Sequence, residues 1–394
     1  MDFSHTLLIY QEMGGEPMFN GERLAEIRIV RNMTQEQLAV PLGISKQMVS
    51  RYEDGKNIPQ SETVKKMAQL LSIPIKCFYK DNFAFDTKSS TVFFRANIDT
   101  SKKVRENIKI AGKWGYEILK ANEKLSNPFL TLSIDNNLTI PEKATVLKQK
   151  WGIGDNPVEN MVALLEIHGF NIFTVDFPGL KTEACSQIIN GIPIIVINKN
   201  IGTAVRQRFS LAHELGHMIL HRGIAHWDFE IRNTELEKEA HEFAEYFLLP
   251  MKGFEKSLLP LKIEKLIELK RKWKVSLAAL AMHCKNTGLI DASECDALHR
   301  FISTRGWKKF EPLDDEFEYE KPYAMGQLAL STATDKDTFL EFFDKVLLPA
   351  DIIESLCSLP NDTFTGILNG SFDMNDTAGF EQLDLSDIGG DHNA

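Results

Sequence analysis

Cysteine is scarce in this chain: five residues in 394, at positions 77, 185, 284, 295 and 357, odd in number and never arranged as Cys-x-x-Cys. That argues against a disulfide framework and against a cysteine zinc site, and it suits a reducing compartment. Long apolar runs are missing too, since none approaches the roughly 20 residues needed to span a bilayer. The patch Thr6–Tyr10 is too short for a signal-peptide core and has no basic flank, so a cytoplasmic chain with no membrane attachment is expected. There is no low-complexity tract, and 43% hydrophobic with 25% charged residues is ordinary for globular domains. A chain of this length exceeds one typical core, which predicts two or three domains.

Basic residues are also scarce at one end. Residues 311–394 carry 19 acidic and 3 basic side chains, whereas residues 20–80 carry 10 basic and 6 acidic ones. Only the head therefore suits a polyanion, and the split suggests that the acidic end shields the head in cis.

What is present divides along the chain. Residues 1–19 read as an N-terminal extension, because the helical pattern starts directly after Met18. Residues 20–80 read as a domain of four or five short helices, with Leu24, Ile27, Leu38, Val49, Met67 and Leu70 on apolar faces. Thr34 and Ser45 stand at helix starts, and Gly55 at a helix stop. Pro41 falls late in its helix and shortens it. Residues 81–137 read as a linker and helix, with a short strand at Thr91–Phe94 and a loop at Asn127–Pro141. Residues 138–255 mix helices with strands at Asn171–Thr174 and Ile192–Asn198, the second a continuous apolar run suited to a buried position. Residues 256–310 form a helical segment, and 311–394 an acidic, partly helical region whose last 25 residues look frayed.

Within 138–255 lies His213-Glu-Leu-Gly-His217, inside a helical pattern over Arg206–His221. Four residues advance a helix by about 400° and 6 Å, so both imidazoles leave one face. Two neutral imidazoles and one carboxylate hold Zn²⁺ and leave a fourth position for water. Glu214 is placed to take a proton from that water and pass it to a leaving amine. A surface helix bearing two histidines is the competing reading of the bare motif. The third ligand is sought in Glu235-Leu-Glu-Lys-Glu-Ala-His-Glu-Phe-Ala, where Glu235, Glu239 and Glu242 are candidates, although such acids commonly line a solvated helix face. His221 lies one further turn down and reads as supporting or structural. His226 and His241 read as bystanders, and Cys185 as a buried structural thiol.

These stretches resemble the ImmA/IrrE-type metallopeptidases that carry an N-terminal XRE-type helix-turn-helix. The resemblance rests on Arg208-Phe-Ser-Leu-Ala-His-Glu-Leu-Gly-His-Met-Ile-Leu-His221, Glu237-Lys-Glu-Ala-His-Glu-Phe-Ala-Glu-Tyr-Phe-Leu-Leu-Pro250, Gly191-Ile-Pro-Ile-Ile-Val-Ile-Asn198 and Lys272-Trp-Lys-Val-Ser-Leu-Ala-Ala-Leu280. It spans about residues 140–290 and implies a gluzincin-like α+β domain. It further implies one Zn²⁺ held by His213, His217 and Glu239, with Glu214 as catalytic base. His241 departs from the Asn or Asp common two residues after that glutamate, and His283 stands where an arginine is frequent. The fold class expected is thus mainly α with α+β: an all-helical head, the metallopeptidase domain and a helical acidic end.

The head segment Thr34-Gln-Glu-Gln-Leu-Ala, Leu42-Gly-Ile-Ser-Lys-Gln-Met-Val-Ser-Arg-Tyr-Glu-Asp-Gly55 and Pro59 resembles the lambda-repressor-like fold. In such folds the second helix of the pair enters the major groove. Carried over, Ser45, Lys46, Gln47, Ser50 and Arg51 face double-stranded DNA, with Gln47 suited to adenine and Arg51 or Lys46 to guanine or phosphate. Gln35 would meet the backbone. A monomer reads a half-site weakly, which implies a homodimer or a partner. The expected function is a zinc endopeptidase fused to an operator-binding head, and the resemblance implies a transcriptional repressor as the cleaved protein. The alternatives are a regulator whose zinc domain only senses or binds, and an antitoxin.

Overall fold

The first three short helices of the head are each started by a side chain that satisfies an otherwise orphaned amide. In the computed structural model, Asn20 opens α1 (Gly21–Val30) by accepting from the Arg23 amide at 3.1 Å. Thr34 and Gln37 form a reciprocal capping box on α2 (Gln35–Leu42), and Ser45 caps α3 (Lys46–Glu53). α2 ends at Leu42, one residue after Pro41, and is capped by Gly43, whose φ of 68° is left-handed. Helices this short are marginal alone, so packing must hold them. Gly21 makes the packing possible: a Cβ there would lie 2.0 Å from the Tyr52 carbonyl oxygen at the end of α3. With α4 (Ser61–Leu71) and a 3₁₀ turn at Ile75–Tyr79, the head buries Leu24, Ile27, Leu38, Val49 and Met67 completely.

The structure describes residues 18–80, 91–93, 102–122, 134–176, 183–199, 202–222, 224, 226–252, 254, 258–332 and 336–369. The expected N-terminal extension up to residue 17, the first part of the loop expected from Asn127 and the frayed end from residue 370 lie outside them.

Strands β1 (Thr91–Phe93), β2 (Asn171–Val175), β3 (Ala184–Ile189) and β4 (Ile192–Asn198) form one sheet in the order β1-β3-β4-β2. The apolar run at 192–198 is one of the two inner strands, parallel to β2, antiparallel to β3 and buried throughout. β3 was not expected. It turns into β4 through Asn190-Gly191, both at positive φ (48° and 82°), with Ile189 opposite Ile192. That is the two-residue Asn-Gly hairpin. Cys185-Ser-Gln-Ile-Ile shows no clean polar alternation because both faces of β3 are covered.

One face is covered by α5 (Lys102–Ala121), which approaches closely because a Cβ at Gly115 would meet the Phe173 ring at 2.6 Å. A segment expected as linker and helix is thus a structural layer. The other face receives helices α6 (Ile140–Lys150), α7 (Met161–Ile167), α8 (Ala204–Leu220) and α9 (His226–Leu248), in a core shared with α10 (Ile263–Trp273), α11 (Leu277–Asn286) and α12 (Ala292–Thr304). The first core is continuous from the head across α5 to α13 (Ala324–Leu330), α14 (Lys336–Val346), α15 (Ala350–Leu356) and α16 (Thr363–Asn369).

A buried ionic network fastens the head to α5. Arg23 donates to Glu26 at 3.2 Å and to both oxygens of Glu117 at 3.3 and 3.1 Å. Trp114 Nε1 donates to Glu26 at 3.0 Å, Lys113 binds Glu26 from the other side, and Lys80 reaches Glu117 at 2.7 Å. Removing one member of such a network leaves a stranded charge at about 3–5 kcal/mol. The described part of the acidic region, residues 311–332 and 336–369, is equally structural. Fully buried Lys270 donates to Glu311 at 2.8 Å and Asp314 at 2.5 Å. Glu320 accepts from the first amides of α7 at 2.7 and 2.9 Å and binds Arg208.

Asp351 and Asp344 do reach the head, at Arg31 and Lys76. These contacts sit at the C-cap of α1 and on the 3₁₀ turn, and they leave Lys46, Gln47 and Arg51 exposed. All five cysteines are buried and unbridged. Among the described residues no helix is long and apolar enough to cross a membrane.

His168 stacks on Trp151 with ring centroids 4.1 Å apart, and burial holds its imidazole down at about 4 against an ordinary 6.5. The folded chain therefore favours the neutral ring. As pH falls below 6.5 the unfolded chain takes up a proton that the folded one refuses, so this contribution is lost between about 6.5 and about 4. His168→Gln should flatten the decline of the urea midpoint over that interval; an unchanged pH profile would count against the assignment.

Candidate metal centre and nucleic-acid interface

The motif helix α8 starts after Thr203 and buries Leu211, Ala212 and Leu215 against the sheet. That face leaves His213 and His217 pointing along a second side, and both are buried, as is Glu214. Their Nε2 atoms lie 3.0 Å apart. The returning helix α9 begins at His226, earlier than the expected Glu235, and runs close across α8 because position 216 is glycine. A Cβ there would stand 3.0 Å from the Ala240 carbonyl oxygen and 3.2 Å from the Ala240 Cα.

This crossing decides the third carboxylate. Ala240 and Ala244 face α8 and are fully buried. Glu237, one turn before Ala240, shares that face and lies 3.3 Å from His213 Nε2 through one oxygen and 3.3 Å from His217 Nε2 through the other. Among the described residues these three form a cluster whose ligand atoms all lie within 4.8 Å of one another. Glu239, expected in this role, is turned away from Glu237 by about 200° around the helix. It meets His221 Nε2 at 2.9 Å instead. The geometry therefore replaces Glu239 by Glu237. Glu235 and Glu242 are exposed, and the side chain of His226 lies outside the described residues.

The cluster fits a zinc ion. A tetrahedral centre with bonds of about 2.0–2.1 Å sets neighbouring donors about 3.3 Å apart. The observed separations are 3.0, 3.3 and 3.3 Å. Glu237 Oε1 is buried with no hydrogen-bond donor, although it faces the His217 ring. Two imidazoles and one carboxylate are also the donor set of open, catalytic zinc sites. Burial pushes the Glu237 carboxyl up, but the adjoining His213 and His217 rings together outweigh it and bring it down to about 2. An ionised carboxylate is what a cation requires.

Around this cluster stand residues that sequence reasoning missed or left undecided. Ser186 on β3 donates to Glu214 Oε2 at 2.5 Å, fixing the carboxylate beside the histidines. Its signal was the Asn190-Gly191 turn, which places a strand immediately upstream. His221 is 1% exposed, and its Nδ1 lies 3.0 Å from His217 Nδ1. Burial, then His217, hold its imidazole down at about 4 against the pull of Glu239 and Glu237. His241 is exposed, with its ring 4.8 Å from Phe209 and 6.4 Å from His213. His283 is buried and pairs with Glu245 at 2.9 Å, well inside the core. Cys185 is buried, on the sheet face opposite Ser186, and burial raises its thiol well above the ordinary value.

In the head, α3 presents Lys46, Gln47 and Arg51 to solvent, with Ser50 half-buried and Ser45 holding the helix start through the Met48 amide at 3.2 Å. Gln35 donates to Glu53 at 2.7 Å, and Glu53 is in turn bound by Arg28. That pair ties the start of α2 to the end of α3 and fixes the angle between the two helices.

Residues 24–76 match the family model of the helix-turn-helix, and residues 165–285 that of the IrrE N-terminal-like domain. The chain joins these two domains. The second match contains both motif histidines, Glu214, Glu237 and Glu239. Among relatives, an HTH-type transcriptional repressor of Bacillus subtilis, RghR, is 35% identical over 88 residues, 22% of this chain and 62% of that protein. The HTH-type transcriptional activator BcrR of Enterococcus faecalis is 39% identical over 54 residues, 14% of this chain and 26% of the other. The cryptic phage CTXphi transcriptional repressor RstR of Vibrio cholerae is 32% identical over 60 residues, 15% and 54% of the two chains. The chain thus spans between about a quarter and three fifths of these proteins' lengths.

The helix crossing at Gly216 makes a checkable demand. Gly216→Val should over-pack it against Ala240 and cost about 1–3 kcal/mol in chemical denaturation. Unchanged stability would show that α9 yields freely.

Proposed function

We propose that this protein is a DNA-binding regulator whose IrrE-like domain is a zinc-dependent endopeptidase directed at a partner repressor. The observation that carries the reading is the convergence of His213, His217 and Glu237 with Glu214 one residue along the same helix. In this reading His213, His217 and Glu237 hold one Zn²⁺. Zinc held there would supply a Lewis acid, lowering the pKa of a bound water and polarising a peptide carbonyl. Glu214 takes the proton and returns it to the departing amine, and the Ser186 hydroxyl keeps the carboxylate in a single orientation while the proton is held. His213, Glu214 and His217 are all buried, which limits the access of bulk water to that exchange.

The head reads as the addressing element. Lys46, Gln47 and Arg51 on the exposed side of α3 suit the major groove of an operator, and the names of RghR and RstR favour a repressor's site. Two copies on a divided operator would supply the affinity that one half-site lacks. A second reading, a regulator whose zinc domain only senses or binds, is favoured by the same names, which are all those of regulators.

Glu214→Gln separates the two. It should retain full zinc by metal analysis while cleavage of the cognate repressor falls by about 10²–10⁴-fold. Stoichiometric zinc in the unaltered protein with no cleavage would leave the sensor reading standing. For the head, Arg51→Ala should weaken operator binding in a mobility-shift titration by about 1–3 kcal/mol if Arg51 reads a base. Affinity that does not change would remove Arg51 from the interface.

A further inference from the structure

His217 has two ring nitrogens, and both are engaged. Nε2 faces His213 and Glu237, while Nδ1 lies 3.0 Å from His221 Nδ1. The other nitrogen of His221 lies 2.9 Å from a carboxylate oxygen of Glu239. The contacts form a single file, Glu239 to His221 to His217, ending at the cluster. His217 and His221 are 0% and 1% exposed, so the two rings cannot exchange these partners for bulk water.

Proton bookkeeping gives the file one direction. To bind a cation through Nε2, His217 must leave that nitrogen bare and carry its proton on Nδ1. That proton then points at His221 Nδ1, which must accept, so the His221 proton sits on Nε2. There it points at Glu239, an acceptor when ionised. Each link fixes the next, and reversing any one of them puts a proton on His217 Nε2, where the ion would sit.

We propose that His221 and Glu239 are positioning residues that lock His217 in its metal-binding tautomer, with the carboxylate anchoring the far end. The inference rests on the zinc reading above. It distinguishes the two glutamates of Glu237-Lys-Glu239, since Glu237 holds the ion and Glu239 orients a ligand that does.

The test uses the full chain, zinc alone as the probe, and chelator competition for affinity. The Glu239 side chain is 34% exposed, so its variants should fold. Glu239→Ala should weaken zinc binding by roughly 10–100-fold, as loss of such outer partners typically does, and leave the melting of the zinc-free protein unchanged. Glu237→Ala should lose far more. Glu239→Gln, whose amide oxygen still accepts from His221, should restore most of the affinity. In two-bond ¹⁵N–¹H spectra of the zinc-loaded, histidine-labelled protein, His217 should carry its proton on Nδ1 and His221 on Nε2. The Glu239→Ala protein should lose the fixed His221 tautomer.

Unchanged affinity and unchanged tautomers in Glu239→Ala would overturn the relay. Loss as complete as that of Glu237→Ala would overturn it too, by making Glu239 a ligand. His213→Ala is the separate control: zinc binding as tight as in the unaltered chain would sink the zinc reading itself, whatever Glu239 does.

Discussion

Everything at the cluster depends on how closely two helices can cross. Position 216 carries no side chain, so the backbone of α9 at Ala240 rests directly on α8. That contact sets the rotation of α9 about its own axis, and the rotation selects which acid of the 235–242 segment reaches the histidine pair. Ridge-into-groove packing usually leaves 8–10 Å between axes according to the side chains at the contact, and small residues at a crossing lie at its lower limit. The chemistry is thereby fixed by packing: an extra methyl group at 216 would move a carboxylate that lies more than 20 positions away in the chain.

The same constraint explains where sequence reasoning succeeded and where it did not. The histidine pair and Glu214 were legible because their relation is internal to one helix, where spacing dictates direction. Two helix starts in the head were legible for the same reason, since Thr34 and Ser45 cap their own next turns. Glu237 and Glu239 were not distinguishable locally. Both are acids on one amphipathic segment, and only the tertiary contact at Gly216 assigns them to the histidine pair and to His221 respectively. β3 escaped because a strand covered on both faces shows no polar alternation, although Asn190-Gly191 marked its end. The acidic end was read from composition as a charged region, whereas buried Glu311 and Asp314 and half-buried Glu320 are partners of Lys270, Arg208 and the start of α7. Composition counts charges but does not locate their counterions.

The two faces of the sheet divide the labour. On one, β3 and α8 bring Ser186 to Glu214. On the other, α5 carries Trp114 and Glu117 up to Arg23 and Glu26 of the head. Gln187, next to Ser186 on β3, donates to the Ile108 carbonyl of α5 at 2.8 Å. Adjacent residues of one strand therefore touch the candidate catalytic base and the helix that bears the head. A sheet buried on both sides transmits displacement poorly by bending but well as a rigid plate.

That plate has a geometric consequence. With Arg23, Glu26, Lys113 and Glu117 interlocked, α1 cannot pivot on α5 without exposing several charges to an apolar interior. A head seated on a duplex would thus hold the histidine cluster at a set height and bearing along the helical repeat, about 34–36 Å per turn. Under the proposed function, a partner bound half a turn away would be out of the cluster's reach, however abundant. Which neighbour meets the cluster would then be written in the spacing between two sites on DNA.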